Sequence, residues 1–104
     1  MNEAVQPVVD LLSTHLTSKY PRSLAPDSEV GGISLAVLDA DVIELAQSFI
    51  KRGGVLTADE SVKLRQCVAA TKAVLSGLSQ DAWIYFARLH AVTQALTRSA
   101  SDVR

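Results

Sequence analysis

At 104 residues, with 48% hydrophobic and 20% charged residues, the chain has the composition of one small globular domain rather than of a disordered segment. Ten Lys and Arg against eleven Asp and Glu give a formal net charge of -1, and the bases are scattered. That argues against a nucleic-acid binder, which gathers positive charge to displace counterions from phosphates.

A single cysteine, Cys67, rules out an intrachain disulfide and a thiolate metal cluster. The N-terminus has no basic region followed by an apolar run, so no signal peptide is expected. No apolar stretch approaches the roughly 20 residues of a membrane helix. A cytoplasmic protein without a membrane partner is expected.

In chain order, Pro7 suits the first turn of a helix, where a missing N–H costs little. Val8, Val9, Leu12 and Leu16 then recur at helical spacing and are predicted to face inward. The helix should stop before Tyr20-Pro21, because the residue ahead of a proline avoids helical geometry. Residues 19–32 follow as a long connection containing Pro21, Pro26 and Gly31-Gly32, and loops of this length are often functional or mobile.

The second helix is predicted from Ser34, with Leu35, Leu38, Val42, Leu45 and Phe49 in helical rhythm. It ends at Gly53, where Lys51 and Arg52 suit the negative end of the dipole. Its start admits an alternative: Ile33 to Val37 also reads as a short strand, with Asp39 or Asp41 capping a shorter helix. The longer helix is favoured.

Thr57-Ala58-Asp59-Glu60 has the pattern of a capping box, and Gly77 offers a stop, so a third helix should run from about Ala58 to Ser76. Its inward face is Leu64, Cys67, Val68, Thr71, Val74 and Leu75. The fourth should start at Ser79, with Asp81 in the first turn, and carry Ala82, Tyr85, Phe86, Leu89, Val92 and Leu96 inward. It is expected to fray near Arg98, leaving residues 99–104 as a loose tail. The expected fold class is all-α: a four-helix, antiparallel, bundle-like single domain over residues 1–104.

Few residues suggest chemistry. Asp39, Asp41 and Glu44 are the densest carboxylates, but a hard cation needs several converging oxygens. Residues two apart on a helix point about 200° away from each other, so helix-start electrostatics is preferred. His15 and His90 lack the H-x-x-x-H or E-x-x-H spacing of metal sites and read as boundary histidines with one nitrogen in water. Cys67 lies mid-helix on the core stripe, the opposite of a reactive setting. No phosphate-binding, dinucleotide or nucleophile-elbow motif occurs, so no cofactor is expected. The third and fourth helices do not suit a helix-turn-helix, because the second would present Gln80, Asp81, Trp83 and Ile84 to DNA.

Trp83-Ile84-Tyr85-Phe86 is the informative run. Four successive large apolar residues span about 300° of a helix, more than one core can use. Tyr85 and Phe86 join the inward stripe, while Trp83 falls in line with His90 and Gln94. Ile84 heads a face with Ala87, Ala91 and Ala95, and the third helix places Ala58, Val62, Ala69 and Ala73 opposite its own stripe. Either the chain's other helices cover these faces or a partner does, and a subunit interface is favoured.

The expectation is a non-enzymatic protein-interaction module acting as a homodimer: a small regulator, inhibitor or adaptor. One alternative is a small enzyme or ligand-binding bundle using His15, His90 and the 19–32 loop. Another is a nucleic-acid-associated protein whose basic groove forms only in the dimer.

Overall fold

In the computed structural model, which describes residues 5–101, the chain is mostly helical with one small sheet. Helix α1 spans Gln6–Thr17, strands β1 (Glu29–Val30) and β2 (Ile33–Ser34) form an antiparallel hairpin, and α2 covers Leu35–Lys51. Helices α3 (Ala58–Leu75) and α4 (Gln80–Ser101) follow. Helix α4 packs against each of the other three, with α2 also against α1 and α3.

Helix α1 buries Val8, Leu12 and His15. Leu16, predicted to face inward, is 53% exposed. His15 and Leu16 both keep helical spacing from Leu12, and it is His15 that meets the Asp39 carboxylate on the inward side. The helix ends as the hydroxyls of Thr17 and Ser18 both donate to the Thr14 carbonyl at 2.9 Å, a local alternative to further helical bonding.

The long connection of residues 19–32 has local structure of its own. Pro21 is buried, Tyr20 and Leu24 are half-buried, and turns close from Leu24 N–H to Pro21 O and from Ser28 N–H to Ala25 O. The hairpin corrects the all-helical fold class, and the alternative strand read over Ile33 to Val37 is realised only in Ile33–Ser34, since α2 begins at Leu35. Gly31 and Gly32, both at positive φ, make the two-residue turn between β1 and β2. Strand β2 leads directly into α2: the Ser34 side chain accepts from Val37 N–H at 3.3 Å and caps the helix at the favoured earlier start.

The α2–α3 corner is written in local chemistry. Gly54 N–H reaches back to Phe49 O at 2.9 Å and Gly53 N–H to Ile50 O at 3.0 Å, the paired bonds of a Schellman end, with Gly53 at φ 71. The capping box forms as expected: Thr57 Oγ1 accepts from Glu60 N–H at 3.1 Å, and Glu60 Oε1 accepts from Thr57 N–H at 2.9 Å. The Arg52 guanidinium donates to the same glutamate oxygen, joining the end of α2 to the start of α3. The Thr57 N–H, above all, holds the Glu60 carboxyl below the usual glutamate range; burial opposes it, and the Arg52 charge adds a lesser downward pull.

The core gathers Leu35, Leu38, Val42, Leu45 and Phe49 from α2, Leu64, Cys67 and Val74 from α3, and Phe86, Leu89, Val92 and Leu96 from α4. At the α3–α4 turn, a Cβ on Gly77 would lie 2.7 Å from Val30 Cγ1, so glycine there lets the hairpin close against the turn. Asp81 accepts from Ala82 N–H and from the Ser23 hydroxyl, each at 2.9 Å, which ties the start of α4 to the connection after α1. Helix α4 does not fray at Arg98. It continues to Ser101, with Ser99 buried and Ala100 packed on the core, while residues 102–104 lie outside the described range.

Candidate functional site

The most concentrated polar chemistry sits where α1, α2 and α4 meet. Asp39 follows buried Leu38 and stands at the edge of α2's inward face. His15 comes from the buried row of α1 and Tyr85 from the inward stripe of α4. His15 Nε2 lies 2.6 Å from Asp39 Oδ1, and the Tyr85 hydroxyl donates to Asp39 Oδ2 at 2.8 Å. A carboxylate can only accept, so the His15 proton in this bond is on Nε2. His15 is 1% exposed, whereas the Asp39 side chain keeps 14%.

Aromatic rings frame this carboxylate. The rings of His15 and Tyr85 lie 4.4 Å apart, and Tyr20 meets Tyr85 edge-on at 5.3 Å. Burial, then the hydrogen bond and charge of Asp39, push the Tyr85 phenol well above its ordinary range, so it stays a protonated donor. Burial first and the Asp39 charge second raise the Tyr20 phenol as well. The Tyr20 hydroxyl and His15 Nδ1 are enclosed without a hydrogen-bond partner among the described residues. Outside the Asp39 carboxylate opens a cleft of about 310 Å³ lined by Tyr20, Leu24, Pro26 and Ala36.

This placement corrects the boundary-histidine expectation for His15, which is enclosed and carboxylate-bound. The helix-start reading of the three carboxylates is corrected too: α2 begins at Leu35 with no acidic residue in its first turn, so Asp39, Asp41 and Glu44 lie within the helix, and they separate as their spacing requires. Asp39 turns to His15 and Tyr85, Asp41 pairs with Lys63 Nζ at 3.3 Å, and Glu44 is exposed. Among the described residues no three His, Cys, Asp or Glu side chains converge as metal ligands.

His90 is half-buried, and its Nδ1 lies 2.7 Å from Thr71 Oγ1. That hydroxyl also approaches the carbonyls of Cys67 (2.9 Å) and Val68 (3.1 Å). It has one proton, so when a carbonyl takes it, His90 Nδ1–H is the donor. Burial, then the Lys72 charge, lower the His90 pKa. The two histidines do not converge: Tyr85, which packs on His15, is five residues from His90, about 140° around α4. Cys67 is buried, and burial with the Asp41 charge raises its thiol against a lesser opposing effect of Lys63.

The residues proposed for an interface divide by position. Trp83 (45%), Ile84 (49%) and Val62 (46%) are exposed, as are Ala69, Ala73 and Gln94. Ala87, His90 and Ala91 are half-buried. Ala95 is a correction: it belongs to the core, because α4 is packed by three helices and its buried arc widens to include Thr93, Ala95 and Ser99.

Tyr20 and Asp39 escaped notice in sequence as partners of one site. The available signal was Tyr85, a hydroxyl on an otherwise apolar inward stripe, which when buried requires a hydrogen-bond partner. No family model, curated protein or solved structure matches this chain, so the functional reading rests on its own geometry.

Proposed function

We propose that this chain is a non-enzymatic protein–protein interaction module, a small regulator, inhibitor or adaptor, whose four helices make an antiparallel bundle-like domain that pairs with a second copy. The observation that carries it is the consecutive exposure of Trp83 and Ile84 on α4. Large side chains of this kind, clustered at one place on a surface, serve as anchors in contact patches.

Exposed Val62 of α3 adds apolar surface, and the small side chains of Ala69, Ala73, Ala87 and Ala91 suit close approach of another helix. Catalysis has less support: among the described residues His15 holds no hydroxyl or thiol at hydrogen-bonding distance, and the Thr71 hydroxyl beside His90 is fully buried against the Cys67 and Val68 carbonyls. Solution mass measured across a concentration series tests the proposal. A dimer that dissociates on dilution, and more readily in Trp83→Ala, is expected. A wild-type monomer at every concentration would remove self-pairing.

A further inference from the structure

The cleft beside Asp39 shares no lining residue with the candidate interface and has a chemistry of its own. Its walls are apolar or aromatic apart from one carboxylate, and none of the described residues lining it is basic. The Asp39 oxygens each accept one hydrogen bond from the protein, which fixes the carboxylate plane, and each retains capacity for a second. His15 meets Asp39 through Nε2–H, and its buried Nδ1 has no hydrogen-bond partner among the described residues. The Asp39 carboxylate therefore borders the cleft with no Lys or Arg among the described residues lining that side.

We propose that this cleft binds a small organic cation, a primary ammonium on a short apolar or aromatic body. The ammonium would donate to Asp39 while the body lies among Leu24, Pro26 and the Tyr20 ring. A charge-assisted bond to a carboxylate already held in place is stronger than a neutral one, and a tyrosine face attracts cations. A metal ion fits poorly, because one carboxylate does not supply the several oxygens it requires. The volume of about 310 Å³ has room for roughly ten water-sized groups, at the small end of ligand clefts.

The test is a titration of backbone amide resonances with 2-phenylethylammonium, run beside the neutral 2-phenylethanol and the anionic phenylacetate. Saturable shifts centred on Tyr20, Leu24, Ala36 and Asp39 are expected for the ammonium, with the alcohol at least about tenfold weaker and phenylacetate silent. Asp39→Asn should lose at least about tenfold in affinity. Ala36→Phe fills the cleft from an exposed position, so it should abolish binding at an unchanged thermal midpoint. No saturable shift with the ammonium, equal binding of the alcohol, or undiminished binding to Ala36→Phe would each overturn the proposal. Should Asp39→Asn fail to fold, the alcohol comparison and Ala36→Phe decide it.

Discussion

Replacing Trp83 with Ala separates an interface from a core more sharply than any other change in this chain. Trp83 is 45% exposed, and a tryptophan side chain presents up to about 250 Å². The area left for a partner to cover is therefore about 110 Å². At about 25 cal/mol per Å² this corresponds to at most about 2.8 kcal/mol per subunit, and side-chain ordering on association lowers it to about 1–2 kcal/mol. In a two-fold dimer the loss counts twice, so the dissociation constant should rise by about 30-fold or more. Sedimentation gives the association constant, and circular dichroism on the same samples should show the helical content retained. Trp83 is also the only tryptophan, so its fluorescence should shift to the red on dilution as the ring returns to water. An unchanged association constant in a fully helical variant would refute the reasoning, as would loss of helicity without an association defect.

Three further outcomes test the fold beneath this surface. Thr57→Ala removes the oxygen that accepts from Glu60 N–H and should destabilise by about 1 kcal/mol; an unchanged denaturant midpoint would mean the cap contributes nothing. Gly77→Ala places a methyl against Val30 and should cost about 1–3 kcal/mol, most of it recovered in the double variant with Val30→Ala; additive losses in a thermal melt would count against that clash. Cys67, buried with a raised thiol, should react slowly with a thiol reagent when native and rapidly in denaturant, whereas fast native labelling would place it at the surface.

The parts of the fold legible in sequence are those fixed by neighbours in the chain. Thr57 and Glu60 specify the start of α3 by themselves, and the apolar rows of α2, α3 and α4 select their inward faces through spacing alone. Other features depend on elements far away. His15 and Leu16 are adjacent, and what places the histidine inside is Asp39 on another helix. Strands β1 and β2 have two residues each, too few for any alternation, so the signals for the hairpin were Gly31-Gly32 between Val30 and Ile33 and the alternative strand reading that starts at Ile33. The end of α4 differs from expectation because Ser99, a residue of fraying ends, is buried by the rest of the fold. The carboxylate site was hidden for the same reason: periodicity places Asp39 at the edge of a face without naming what stands opposite.

The Asp39 cluster also differs from the rest of the fold in how much chain must be ordered before it exists. Its two hydrogen bonds join residues 24 and 46 positions apart, whereas the Arg52–Glu60 contact spans 8. Closing a loop costs entropy that grows only slowly, about 0.6 kcal/mol per doubling of length, but it is spent before the bond returns anything. The α2–α3 corner can thus assemble from its immediate surroundings, while the cluster forms only once three helices have already docked. Its aromatic rings and its cleft accordingly belong to the complete native state, and detachment of any one of α1, α2 or α4 dissolves them together.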